Sequence, residues 1–118
     1  MNDHDETRTA LVVMEAGARW PSYTRELQGR ASSAVVESQP PSEGLDEFSH
    51  RVLARLRRLE ERGTSIPIAL LATSTRFDSE ATAARVRMAR AVVATLGLHG
   101  GGELVIIADE FLPESSRH

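Results

Sequence analysis

The chain of 118 residues contains no cysteine. Disulfides, thiolate catalysis and Cys-ligated zinc or iron–sulfur sites are therefore excluded, and the composition suits a reducing compartment. Lysine is absent too: all 14 basic residues are arginine. Schiff-base chemistry and a phosphate-loop lysine are excluded with it. Aromatic residues are scarce, with three Phe, one Trp and one Tyr. No apolar run approaches the ~20 residues needed to cross a bilayer. The opening MNDHDETRT is polar and acidic, without the apolar stretch of a signal peptide. A formal net charge of −3 offers no general attraction to a polyanion. These absences lead to a soluble protein of the bacterial cytoplasm, with no membrane and no nucleic-acid partner as the expectation.

What is present is ordered around Ile66 to Leu96. Ile66, Ile68, Ala69, Leu70, Leu71 and Ala72 form an almost unbroken apolar run without alternation. A parallel strand covered on both faces has that pattern. Pro67 lacks an N–H and belongs at the strand's first position. The stretch Thr73 to Ser79 breaks the run with turn and cap formers, and Asp78 or Ser79 can cap a helix. Ala81, Ala84, Met88, Val92 and Leu96 then recur at helical spacing, and Gly97 is the expected left-handed stop. Val86, Ala89 and Val93 widen the apolar side, so this helix is expected to be buried on more than its sheet-facing side. Arg85, Arg87 and Arg90 fall elsewhere on the wheel.

The remainder repeats the unit. Residues 1–8 read as a tail, residues 9–112 as one domain and residues 113–118 as a second tail. Thr9 to Met14 is the first strand, ending at Glu15. A short helix from Pro21 through Leu27 follows, with Trp20 and Tyr23 covering one end of the sheet. Ala34 to Glu37 is a shorter strand, suited to an edge. Leu45 to Arg62 is a helix with an apolar stripe of Leu45, Phe48, Val52, Leu56 and Leu59, Ser42 as cap and Gly63 as stop. Arg51 can pair with Glu47 four residues before it. The glycines at 100–102 form a flexible connection, and Leu104 to Ala108 is the last strand.

This alternation predicts an α/β fold with a four-stranded, mainly parallel sheet in the order 2-1-3-4. It corresponds to a Rossmann-like or flavodoxin-like half fold, as three layers or an incomplete two. Right-handed crossovers put both long helices on one face. The other face is then thin, and a homodimer or partner domain is expected over it or over the fourth-strand edge.

Candidate chemistry collects at the carboxyl ends of the strands, where open α/β sheets bind ligands. Ser74, Thr75, Arg76, Asp109 and Glu110 are the candidate ligand-binding residues, suited to a phosphate or carboxylate. Glu15 and Asp109 are the weak candidates for a metal, which oxygen-seeking Mg²⁺ would fill best. No cofactor is expected. The topology is similar to that of receiver and toprim domains. The acidic pair and lysine of the former and the DxD motif of the latter are missing. The four histidines have no metal-ligand spacing, and no GxSxG elbow occurs. The expectation is a small module acting through protein–protein contacts, a homodimeric regulatory or scaffold protein of the size of anti-sigma-antagonist domains. The alternative is a small-ligand or nucleotide-binding protein, extending to Mg²⁺-dependent phosphoryl transfer.

Overall fold

The computed structural model describes residues 8–18, 29–74, 78–98 and 102–108. Within them the elements are β1 (Thr9–Met14), β2 (Ser33–Ser38), α1 (Leu45–Glu61), β3 (Ile68–Thr73), α2 (Ser79–Leu98) and β4 (Glu103–Ala108). The strands form one sheet in the order β2-β1-β3-β4, and every pairing is parallel. Fold class and strand order are as the sequence predicts. The short helix expected around Trp20 to Leu27 and the two tails lie largely outside the described residues.

The register aligns Leu11 with Ala69 and Val13 with Leu71 on one face, and Val12 with Leu70 on the other. On the first face, Leu11, Val13, Ala69 and Leu71 pack with Phe48, Val52, Leu56 and Leu59 of α1 and with Met88, Val92 and Leu96 of α2. Both long helices thus cover the same face, as right-handed crossovers require. The second face carries Ala10, Val12, Ile68 and Leu70, joined by Met14, Ala31 and Val105. Those four core residues are at most 4% exposed in a single chain. The middle of the thin face is therefore buried in the single chain, Val36 toward the β2 edge is 40% exposed, and β4 pairs on one side only among the described residues.

The helix ends depart from expectation in instructive ways. The cap of α1 is Gly44 rather than Ser42: Gly44 N–H donates to the Glu47 carboxylate at 3.3 Å. That engages Glu47, and Arg51 turns instead to Glu37 and Glu43. Gly63, at φ +80°, ends α1 as expected. In α2 the cap is Asp78, whose Oδ1 accepts from Ala81 N–H at 2.9 Å. Gly97 is not the stop, since α2 continues through it to Leu98 without a positive φ there. Gly102 is more than a linker residue. A Cβ there would collide with the Ile66 carbonyl oxygen, so only glycine allows the chain to enter β4 so close to the strand before it.

Candidate functional site

β1 lies between β2, which follows it in the chain, and β3, which the chain reaches from β2 through α1, so the strand order reverses at the carboxyl ends of β1 and β3, the switch point of the sheet. In an open α/β fold a ligand crevice belongs here. Among the described residues a buried ion pair stands here. Glu15, immediately after β1, is 4% exposed and Arg85 of α2 is 8% exposed. Arg85 donates through Nε to Glu15 Oε2 at 2.5 Å and through Nη2 to Oε1 at 2.8 Å, a bidentate buried ion pair. Ser74, the residue after β3, donates to Oε1 through its N–H at 3.1 Å and its hydroxyl at 3.2 Å. Its Oγ also accepts from Arg85 Nη2 at 3.3 Å. Charge is matched and the carboxylate oxygens are both hydrogen-bonded, which is the condition for holding an ion pair out of water.

Local structure aims these groups. Glu15 N–H bonds the Ala72 carbonyl at 3.1 Å, extending the β1–β3 ladder by one step. The chain then turns through Ala18 N–H to Glu15 O at 3.0 Å, with Gly17 at φ +88°. A Cβ on Gly17 would meet that of Ser74 at 3.7 Å, so the obstacle there is the left-handed backbone rather than crowding. Arg85 follows Ala84 and lies one turn from Ala81 and Met88, on the margin of the buried stripe. This position beside the stripe is the signal that a wheel reading passes over when it assigns every arginine to solvent.

The same edge is stitched toward β2. Gln39 Oε1 accepts from Ala16 N–H at 3.0 Å and its Nε2 donates to the Glu43 carbonyl at 2.6 Å. Arg51 reaches Glu37 at 2.7 Å, Glu43 at 2.8 Å and the Ser38 carbonyl at 2.9 Å, with its guanidinium over the Phe48 ring. Arg55 adds a second contact to Glu37 at 3.2 Å. The hydrogen bond from Arg51 holds the Glu43 carboxyl below its ordinary pKa, and the same contact raises that of Arg51. Two arginines of α1, Arg51 and Arg55, thus clamp β2 and its following loop.

Of the candidate ligand residues, Ser74 alone is described, and it is bound to Glu15 and Arg85. Thr75, Arg76, Asp109 and Glu110 lie outside the described residues. Glu15 is directed to Arg85 and Ser74 rather than into an open coordination site. Among the described residues no group of three or more His, Cys, Asp or Glu side chains is placed to hold a metal. None of their helices is long and apolar enough to cross a membrane.

Two clefts remain. One, of about 240 Å³, lies between the first turns of the helices, among Asp46, Glu47, Glu80, Ala84 and Arg87. Helix dipoles and carboxylates oppose one another there, which favours neither anion nor cation. The second, of about 270 Å³, runs between α2 and β4, floored by Leu71 and Ile106 and walled by Thr82, Val86, Ala89 and Arg90. Its lining is almost wholly apolar. Val86 is 42% exposed, Val93 49% and Ile106 54%. The expectation that α2 is buried beyond its sheet-facing side is thus not met in the single chain. The sequence marks Val86, Ala89 and Val93 as apolar, and the structure places Val86 and Ala89 in the cleft against Ile106 of β4. No family model, no curated protein and no solved structure matches the chain.

Proposed function

We propose that this protein works through protein–protein contacts made by the α2–β4 side of the domain, as a homodimeric regulatory or scaffold protein. One observation carries the reading. Val86 and Ile106, each about half exposed, line one apolar cleft beside β4, which pairs on one side only among the described residues, and Val93 is exposed further along the same helix. Clustered exposed apolar surface next to a free edge is a docking surface or a liability, and a folded protein manages it by covering it. The state of the switch point supports the same conclusion. Glu15, Arg85 and Ser74 are engaged with one another there rather than left open. Of the residues the alternative, a nucleotide- or phosphate-binding protein, would use, Ser74 has its N–H and hydroxyl turned to Glu15.

Sedimentation velocity over a range of roughly 1–100 μM tests the proposal, because an association through such a face responds to concentration by mass action. The expected result is a reversible shift toward twice the chain mass as concentration rises. A strict monomer across the range overturns the homodimer.

A further inference from the structure

We infer that two copies join antiparallel through their β4 strands, giving one continuous eight-stranded sheet with the two α2 helices side by side over the seam. This inference rests on the protein-contact reading above and specifies the partner and the geometry at that same surface. β4 pairs only with β3 among the described residues, so the N–H and C=O groups of its other side point outward. A second β4 is their natural complement, since antiparallel strands exchange both groups. A two-fold axis normal to the sheet keeps each helix-bearing face aligned with its mate's.

Side-chain parity then restricts the register. Ile106 is aligned with Leu71 and Leu104 with Ala69, which places both on the helix face. Directly opposite residues in an antiparallel pair share a face, and a one-residue slip reverses it. Ile106 must therefore oppose an even-numbered residue. Placing it against Ile106 of the second copy puts the most exposed large apolar residue on the axis and closes each α2–β4 cleft with the other.

The dimensions agree. Two helices on one sheet face need about 8–10 Å between axes, close to two strand spacings of about 4.8 Å, so α2 and its mate fit astride the seam. A 20-residue helix flank is about 30 Å long and a six-residue strand about 20 Å. With a helix about 10 Å across, they offer on the order of 400 Å² per copy, the size of a weak, concentration-dependent contact. The cleft lining contains no carboxylate, and of its two arginines Arg85 is paired with Glu15. Such a surface selects an apolar partner with a free strand edge, which this chain itself supplies.

The absence of cysteine makes the test direct. Ile106→Cys and Val36→Cys are prepared separately, each at an exposed site on one of the two edge strands. Both are checked by circular dichroism and oxidised under matched conditions. Ile106→Cys is expected to form a disulfide-linked dimer at least about tenfold faster than Val36→Cys. In the unmodified protein, hydrogen exchange is expected to slow in β4, and not in β2, as concentration rises. A chain that dimerises by mass but cross-links no faster at Ile106, or shows no β4 protection, overturns the β4–β4 arrangement and leaves the homodimer standing. A monomer at every concentration overturns both.

Discussion

The two long helices rest on the same sheet face and differ in what they show to the other side. In α1, Phe48, Val52, Leu56 and Leu59 are buried, while Arg51, Arg57, Arg58 and Glu61 are exposed. Its charged flank is partly tied down, through Arg51 and Arg55 to Glu37. In α2, Ala81, Ala84, Met88, Val92 and Leu96 are buried, yet the outer side presents Val86 and Val93 to solvent. The one arginine drawn inward, Arg85, is paired with Glu15. A helix that is apolar on one stripe is complete once it rests on a sheet, whereas one that is apolar on two sides needs a second partner. α1 shows solvent a charged flank, whereas α2 shows it Val86 and Val93.

The largest expected effect comes from removing what anchors α2. Arg85→Ala leaves the Glu15 carboxylate buried against Ser74 without its counter-charge. A loss of about 3–5 kcal/mol in denaturant unfolding is expected. Arg85→Met with Glu15→Leu is expected to recover most of that loss, because two apolar groups leave no orphaned charge. If the single variant costs no more than an ordinary surface change, the pair is not the anchor.

A second pair of substitutions sharpens the contrast between flanks. Leu56→Ala, at a fully buried α1 position, is expected to cost about 2–5 kcal/mol through lost transfer energy and a cavity. Val93→Ala on the outer side of α2 is expected to change monomer stability by no more than about 0.5 kcal/mol, measured by urea unfolding at a concentration where the chain is monomeric. A large cost at Val93 under those conditions would mean that the outer side of α2 is already covered within one chain.

The smallest effect belongs to the Arg51 clamp and appears as a pH dependence. Glu43 has a depressed pKa in the folded protein, so its stabilising contribution is present above the ordinary carboxylate pKa of about 4.3. It fades as pH falls from there through the lower folded value, because the unfolded chain takes up the proton first. Stability measured from neutral pH downward is expected to decline less steeply in Glu43→Gln than in the parent. An equal slope in both would show that the Arg51 contact contributes nothing measurable.

The particular residues explain why some of this was legible in advance. The parallel order 2-1-3-4 follows from an unbroken apolar run at Ile68 to Ala72 and a weaker one at Ala34 to Glu37, since burial on two faces and at an edge leave different patterns. The stripes of both helices were readable for the same reason, because helical spacing makes one face out of residues three and four apart. The cap of α1 was not, because Ser42 and Gly44 differ there only in how the loop after β2 is held, and Arg51 and Gln39 hold it from other elements. Gly97 was misread as a stop because a glycine one residue inside a helix end looks the same as one just beyond it.

What the sequence determines by itself is local and periodic: which segments become strands, which become helices, and which side of each is apolar. These depend on neighbours along the chain. What only the tertiary structure decides is where those sides meet. Glu15, Ser74 and Arg85 are brought together across as many as 70 positions of sequence at the switch point. Val86 and Ile106 come together across 20 positions to line an open cleft. No periodicity records such distances, because the register of one strand on another fixes them, and that register is set by the packing of the whole sheet.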